Sequence, residues 1–268
     1  MADKRKFEQP AVDSNTVAEL SKKLLEANAK LKEAELERKL MLENISHDLR
    51  APLTAIRSAI DYLKARDEKE GLSASSKDLS DMLRLIDNRA LTLEVLVQDL
   101  FYLTSLESGR DELKMQRIPI AQFLEEYFFA AQIDERYAQR NLLLEIPEDD
   151  DSFVSMDIGK MSRVLDNLFT NARKYSEDGS DITLGMERVG DCVRFFVRDT
   201  GLGIPEDEVA HIFDRTYRVS KSRTPAGETS SGLGLSIVMS IVDQHGGRVL
   251  CESNLGEGSC FFVELPVE

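Results

Sequence analysis

The chain has 268 residues, and 49 acidic against 34 basic side chains give it a formal charge of −15 at pH 7 and a pI near 4.8. This acidity argues against the phosphate backbone of DNA or RNA as a main partner. An apolar content of 42% is sufficient for a packed core and excludes a chain that is disordered throughout. No stretch approaches the ~20 apolar residues of a membrane span, and residues 1–7 lead into polar sequence, so we expect a cytoplasmic chain that is not exported.

The first part of the chain has the pattern of a coiled coil. Residues 13–66 contain no glycine, and their apolar residues recur mostly at alternating steps of three and four. A polar cluster at 67–76 interrupts this pattern, which resumes from Leu79 to Leu100 and stops at Gly109. The pattern predicts two long helices joined by a turn. Because a single hairpin leaves an apolar stripe uncovered on each helix, we expect two hairpins to form a four-helix bundle in a homodimer.

The sequence after Gly109 predicts an α/β sandwich, in which helices cover a sheet. Helices are expected over 121–140 and 159–175. Strands are expected over four short runs, 181–187, 193–198, 247–253 and 259–266. The acidic run at 145–151 is contiguous and lacks ligand spacing, so we interpret it as a solvated loop and not as a metal site.

The cysteines and two of the three histidines show no chemical pattern. Cys192, Cys251 and Cys260 form no CxxC pair, and we interpret them as buried small hydrophobes in a reducing compartment. His211 and His245 have no metal-type partner nearby in the sequence, so both are predicted to be structural.

The third histidine lies in the first helical segment. His47 is two residues from both Ile45 and Leu49, about 200° around a helix from each, so its ring is predicted to point away from the packed face. Pro52 removes one backbone hydrogen bond shortly afterwards and is expected to bend the helix. An exposed histidine by itself is typical of any surface, but Asp48 beside it favours a reactive site.

The residues around His47 carry a family resemblance. Residues 46–56 read SHDLRAPLTAI, which resembles the phospho-acceptor box S-H-[ED]-L-R-[TN]-P-L-T of sensor histidine kinases. One position departs from this box, because Ala51 stands where threonine or asparagine is usual.

A second set of residues, in the second half of the chain, has the chemistry of a nucleotide site. Asn167 and Asn171 are spaced i and i+4 on one predicted helical face, where two amide oxygens can meet a hard cation such as Mg²⁺. Lys174 can neutralise phosphate charge, and Tyr175 can lie against a purine. Taken alone, the two amides are more typical of an ordinary helix surface.

Two glycine-rich segments follow. Asp199 ends a predicted strand and can accept a hydrogen bond from an exocyclic amine, while Gly201 and Gly203 allow the backbone close to a base. Residues 232–235, GLGL, open a helical pattern, and glycines before a helix N-terminus offer backbone N–H groups to phosphate. No Gly-Lys-Ser or Gly-Lys-Thr follows, which excludes a P-loop. Each segment by itself is as typical of a turn as of a site.

A basic stretch separates these two glycine segments. Residues 213–218 read FDRTYR, and residues 219–230 are rich in turn formers and cations. A flexible lid whose cations follow phosphate charge accounts for this composition. In chain order, the four segments resemble the N, first glycine, F and second glycine boxes of the catalytic ATPase domain of histidine kinases.

The resemblance implies a fold and a reaction. The fold is a helical dimerisation and phosphotransfer hairpin, followed by the Bergerat-type α/β sandwich shared with DNA gyrase B, Hsp90 and MutL. The reaction is phosphorylation of His47 by ATP, with Asp48 orienting the ring, and then transfer to an aspartate of a response-regulator receiver domain. Because a methyl group cannot orient water, Ala51 implies weak or absent phosphatase activity toward that regulator.

The resemblance also implies which residues bind ATP and Mg²⁺. Asn167 with help from Asn171 would hold the metal ion, and Asp199 would recognise the adenine amino group. The other residues implied to bind ATP or to shape its pocket are Lys174, Tyr175, Gly201, Gly203, Arg215, Arg218, Gly232, Leu233, Gly234 and Leu235.

We predict four segments along the chain. They are a disordered N-terminus at 1–12, a coiled-coil signalling helix at 13–40, a dimerisation and phosphotransfer domain at 41–108, and a catalytic ATP-binding domain at 109–268. The chain would be a cytoplasmic protein or the cytoplasmic portion of a membrane sensor. Two alternatives stay open, namely an ATPase that acts as a conformational clamp and a non-catalytic dimer that serves as a signalling scaffold.

Overall fold

The structure is a computed structural model that describes residues 14–70, 76–107, 112–214, 217 and 232–268. It divides into two compact units, Met1–Asn44 and Ile45–Glu268. The predicted disordered N-terminus, Arg215, Arg218 and most of the predicted lid lie outside the described residues.

Two long helices form the first part of the described chain. Helix α1 spans Ser14–Glu70 and helix α2 spans Ser76–Glu107, as the glycine-free apolar pattern predicts. In the first unit, exposed i,i+4 ion pairs support α1, such as Lys23 with Glu19 at 2.8 Å. Pro52 lies inside α1, and its side chain is buried.

Each helix of the second unit buries one stripe of side chains at seven-residue steps. Helix α1 buries Ile45, Pro52 and Ala59, and helix α2 buries Leu96 and Leu103. A seven-residue step keeps a stripe on one side of a helix that packs along its length. A connection as short as the five residues between Glu70 and Ser76 is typical of antiparallel helices in a bundle. These observations confirm the predicted helical hairpin.

The rest of the second unit is an α/β domain. Within the described residues, five strands form one sheet in the order β2-β4-β5-β7-β6, parallel between β2 and β4 and antiparallel elsewhere. The strands are β2 (Asn141–Glu145), β4 (Asp181–Val189), β5 (Cys192–Asp199), β6 (Arg248–Asn254) and β7 (Gly258–Pro266). A separate antiparallel pair joins β1 (Gln116–Pro119) to β3 (Phe153–Met156).

Helices cover one face of the five-stranded sheet. They are α3 (Ile120–Gln132), α4 (Ile158–Lys174) and α6 (Gly234–Gln244), and the short α5 (Glu206–Val209) packs near β6. The core includes Ile182, Leu184, Phe195, Val197 and Val263, all within 1% of full burial. This arrangement confirms the predicted α/β sandwich.

The predicted helix over 121–140 was wrong at its end. Helix α3 stops at Gln132, and a 3₁₀ turn follows at Glu135–Tyr137. The side chain of Asp134 accepts a hydrogen bond from Arg136 N at 2.8 Å, which caps the new turn and ends the α-helix. Strands β1, β2 and β3 were not predicted, because each has only four or five residues.

The other sequence predictions concern burial. Cys260 is buried, whereas Cys192 and Cys251 are half-buried, and all three are free thiols. Burial raises the pKa of Cys251 to about 12 and that of Cys260 to about 11, so neither is a thiolate at neutral pH. The acidic run at 145–151 begins at the last residue of β2 and continues as a largely exposed loop. Among the described helices, none is long and apolar enough to cross a membrane.

Candidate functional site

Helix α4 carries most of the predicted nucleotide-binding residues. Its buried face, which includes Val164, Leu165 and Leu168, packs into the core, and this leaves Asn167 and Asn171 half-buried at its edge. The amide nitrogen of Asn167 donates to the carbonyl oxygen of Arg163 at 2.9 Å. This hydrogen bond fixes the amide, so its oxygen is the atom that remains available to a ligand.

The amide oxygen of Asn167 faces the first residue of α6. A Cβ atom built on Gly234 would lie 2.9 Å from this oxygen, so a larger residue at 234 would displace the Asn167 amide. Leu233 is the N-cap residue of α6 and is buried, Leu235 is half-buried, and Gly232 has a positive φ of 65°. The first backbone N–H groups of α6 and an amide oxygen therefore lie together, which suits a phosphate with its cation.

The C-terminal end of α4 meets the turn that follows β5. Leu202 N donates to the carbonyl oxygen of Tyr175 at 2.9 Å, and Tyr175 is the C-cap residue of α4. Gly203 has a φ of +66°, and a Cβ atom there would lie 1.9 Å from the carbonyl oxygen of Asn254. Only glycine fits this position, which lets the turn lie directly against the loop after β6.

Asp199 is the last residue of β5 and is only 5% exposed. Burial raises the pKa of its carboxyl group to about 6, although backbone N–H groups of Gly201 and Ser259 act in the opposite direction. Gly201 N donates to Asp199 Oδ1 at 2.9 Å. This bond orients the carboxyl group and leaves acceptor capacity for a ligand amine.

Lys174 and Tyr175 lie side by side at this C-terminal end of α4. Lys174 is buried, and its ammonium group is 5.4 Å from the centre of the Tyr175 ring. The structure thus brings Asn167 to Gly234 in the second half of α4, and Tyr175 to the turn of Asp199 at the C-terminal end of the same helix. One nucleotide bound along this half of α4 can reach both places.

Two residues that the sequence analysis did not assign to the site fix the ends of α4. Arg140 donates to the carbonyl oxygens of Arg173 at 3.0 Å and Ser176 at 2.9 Å, so its largely buried guanidinium group caps the C-terminus. At the N-terminus, Asp157 N donates to Nε2 of His245 at 3.0 Å, and Nδ1 of His245 lies 2.7 Å from the carbonyl oxygen of Ile241. These contacts confirm a structural role for His245.

The metal ion that the resemblance implies is compatible with this geometry. Among the described residues, no group of three or more His, Cys, Asp and Glu residues could hold a metal ion. A cation here would need ligands of another kind. The fixed amide oxygen of Asn167, beside N–H groups suited to phosphate, is such a ligand.

The candidate phospho-acceptor lies in α1. The structure places His47 in the helical part of the second unit, with Asp48 half-buried and Ala51 exposed one turn later. The orientation of the His47 ring and the bend at Pro52 stay predictions.

Family comparisons match both parts of this chain. Residues 37–109 match the family model described as the His Kinase A (phospho-acceptor) domain. Residues 156–268 match the model described as the histidine kinase-, DNA gyrase B-, and HSP90-like ATPase. The chain belongs to the sensor histidine kinase family. The first match contains His47 and the second contains the described nucleotide-site residues from Asn167 to Leu235.

Individual relatives agree with this family. The chain is 31% identical over 245 residues to the sensor protein kinase WalK of Staphylococcus saprophyticus subsp. saprophyticus and to that of Staphylococcus aureus. The match covers 88% of this histidine kinase chain in both cases, but 38% of the first relative and 55% of the second. The chain therefore spans about two fifths to a little over half of the length of these relatives.

Solved structures share the fold. The histidine kinase ThkA, in a crystal structure of its complex with the response regulator protein TrrA, has a TM-score of 0.66 at 23% identity, covering 89% of this chain and 66% of that one. The histidine kinase AdeS of Acinetobacter baumannii has a TM-score of 0.60 at 21% identity, covering 83% of this chain and 98% of that one.

Proposed function

We propose that this chain phosphorylates its own His47 with ATP and then passes the phosphoryl group to an aspartate of a response-regulator receiver domain. The observation that carries the proposal is the gathering of nucleotide-type residues along the second half of α4, in a chain that also holds the phospho-acceptor box. An ATP-using reaction in turn supports a cytoplasmic location, for the whole protein or for the cytoplasmic portion of a membrane sensor.

The nucleotide is proposed to lie along α4. Asp199 accepts a hydrogen bond from the adenine amino group, and Tyr175 lies against the purine. Lys174, Arg215 and Arg218 balance the phosphate charge, and the first turn of α6 donates backbone N–H groups to it. The burial of Asp199 supports this assignment, because a carboxyl group shielded from water gains more from a ligand donor.

Mg²⁺ is proposed to bind at Asn167, with help from Asn171. When bound, the ion would neutralise phosphate charge, which is its usual contribution to phosphoryl transfer. The hydrogen bond from Asn167 to Arg163 O supports this role, since it keeps the amide nitrogen away from the ligand side.

Phosphoryl transfer itself needs only a few groups on this chain. The lone pair on Nε2 of His47 attacks the γ-phosphorus while the bond to the leaving ADP oxygen breaks, which gives a phosphoramidate and ADP. Asp48 accepts a hydrogen bond from Nδ1–H, so the tautomer with a free Nε2 is favoured and the charge developing on the ring is stabilised. The subsequent attack by a receiver aspartate breaks the nitrogen–phosphorus bond and restores His47.

We also propose that the active species is a homodimer. Large apolar side chains on the two helices are exposed in one protomer, among them Leu53 and Ile60 on α1 and Leu83, Val97 and Phe101 on α2. An apolar surface of this kind is typical of a protein interface. A second hairpin would cover these side chains in a four-helix bundle.

The proposal is tested by incubating the purified chain with γ-labelled ATP and Mg²⁺, followed by addition of a receiver domain. We expect a label that is labile in acid and stable in base, and that moves to the receiver. Asn167→Ala should abolish labelling, whereas Asn141→Ala, at an exposed amide on β2 that donates to Gly179 and Asp181, should not. Tight ATP binding without any label would instead support the clamp or the scaffold.

A further inference from the structure

The ATP-binding domain is docked on α2 by an ion pair. Arg163 Nη2 of α4 lies 2.7 Å from Asp99 Oδ1 of α2. The side chain of Asp99 is 12% exposed and that of Arg163 is 31% exposed, so the pair is largely shielded from water. Such a pair is geometrically specific. If one helix shifted along the other, a charged group would be left without its partner in a poorly solvated place.

An aromatic ring completes the contact. The guanidinium carbon of Arg163 is 3.9 Å from the centre of the Tyr102 ring, and the ammonium group of Lys160 is 5.8 Å from it. Asp99 and Tyr102 are three residues apart and share one face of α2. Lys160 and Arg163 are also three residues apart and share the face of α4 that contacts them. The backbone N–H of Lys114, in the segment that follows α2, donates to the side chain of Asp157. This hydrogen bond ties the N-terminal end of α4 to that segment.

Asp99, which pairs with Arg163, lies level with His47 along the length of the hairpin. Helix α1 ends at Glu70 and α2 begins at Ser76. His47 precedes the end of α1 by 23 residues, and Asp99 follows the start of α2 by 23 residues. Because both helices have the same rise per residue and run antiparallel, the two residues lie at about the same height on the hairpin.

Arg163 is also hydrogen-bonded to Asn167, the residue that we propose to bind Mg²⁺. Arg163 lies one turn before Asn167 on α4, and its carbonyl oxygen accepts the hydrogen bond from the amide of Asn167. A change in the height of Arg163 along α2 therefore moves Asn167, and with it the phosphates, relative to His47.

We infer that Asp99 and Arg163, with Tyr102, are positioning residues that set the height of the ATP site on the hairpin for transfer to His47. This inference rests on the proposed function. Phosphoryl transfer depends on in-line geometry, and a misplacement of ~1 Å can reduce a rate by ~100-fold. Loss of the contact should thus reduce the rate of His47 phosphorylation at saturating ATP by about tenfold or more, with little change in ATP affinity.

The experiment uses the full chain with Arg163→Ala, Arg163→Lys and Asp99→Asn. The matched control is Arg117→Ala, because Arg117 also stacks on an aromatic ring, Phe153 at 3.7 Å, and pairs with a carboxylate, Glu268 at 3.5 Å, but does so within the ATP-binding domain. Autophosphorylation rate, ATP affinity and melting temperature are measured for each. Arg163→Lys keeps the charge without the planar fork, so it should retain more activity than Arg163→Ala.

The expected result is a lower rate in Arg163→Ala and Asp99→Asn, with ATP affinity and folding retained, and no change in the control. An unchanged or higher rate in Arg163→Ala would overturn the inference while leaving the kinase function intact. A loss of ATP affinity as large as the loss of rate would also overturn it, because the residue would then act through the pocket. Absence of label from the unmodified chain would reject the proposed function and this inference together.

Discussion

The two functional regions of this histidine kinase are built in different ways. The described nucleotide-site residues are held by core packing, as with the buried Asp199 and with Gly203 pressed against Asn254. In the acceptor helix, Asp48 is half-buried, and Arg50 and Ala51 are exposed on a continuous helix. Substitutions in the first region should therefore change stability and function together. Substitutions at the exposed positions of the second should change mainly function.

The largest effect is expected at the glycine turn. Gly203→Ala should destabilise the ATP-binding domain by about 3 kcal/mol or more and abolish ATP binding, because its Cβ would collide with the backbone of Asn254 at a positive φ. Gly179→Ala is the matched control, since Gly179 also has a positive φ, of 83°, but has nothing within 4 Å of the added Cβ. It should cost about 1 kcal/mol. Equal unfolding midpoints in urea for the two variants would refute the close approach.

Asp199 should show that function and stability are opposed in this region. Its folded pKa of about 6 lies above the usual value of 3.8, so the folded state binds more protons between these pH values. Stability from this group is therefore highest below pH 4 and is lost as the pH rises through 6, by about 3 kcal/mol in all. Asp199→Asn should remove this pH dependence, stabilise the nucleotide-free protein near pH 7.5 and abolish ATP binding. Chemical denaturation of both proteins from pH 4.5 to 7.5 measures the difference, and parallel curves would contradict the account.

A smaller effect on both properties is expected at the end of α4. Arg140→Ala should destabilise the domain by about 2 kcal/mol and weaken ATP binding, because the carbonyl oxygens of Arg173 and Ser176 lose a charged donor. Arg188→Ala, at an exposed position on β4, serves as the control and should stay within about 0.5 kcal/mol. Thermal melting and nucleotide titration report the two losses. ATP affinity unchanged in Arg140→Ala would show that the cap does not support the site.

The smallest effect on stability is expected in the acceptor helix. Ala51 is exposed, so Ala51→Thr should cost less than about 1 kcal/mol of stability, most of it from the lower helix propensity of threonine. It should nevertheless raise phosphatase activity, because a hydroxyl group one turn after His47 can orient water where a methyl group cannot. The measurement is the rate at which each unphosphorylated protein removes phosphate from a phosphorylated regulator. Strong acceleration by the unmodified chain would reject this prediction.

The parts of the fold that the sequence predicts depend on local patterns. The helices of the hairpin follow from an apolar period sustained over many turns, and β4 and β5 follow from apolar runs bounded by turn residues. Strand β1, with the sequence QRIP, has no such pattern and forms only by pairing with β3. The end of α3 depends on a side-chain cap from Asp134 that competes with a continuing helix.

The candidate site divides in the same way. Asn167, Asp199 and the glycines could be predicted because each lies in a short segment with a distinctive order of residue types. Arg140 and Asp99 could not, because their partners are 33 and 64 residues away, and nothing in an isolated arginine or aspartate indicates them. Long-range polar contacts of this kind come from packing, which local patterns do not encode.

The most direct test of the central claim compares His47→Gln with His211→Gln in the labelling reaction with γ-labelled ATP and Mg²⁺. His211 is an exposed histidine 3.0 Å from the carboxylate of Asp214, and we expect no role for it in phosphoryl transfer. We expect that His47→Gln binds ATP normally and takes up no acid-labile label, whereas His211→Gln is labelled like the unmodified chain. Undiminished label in His47→Gln would contradict the account.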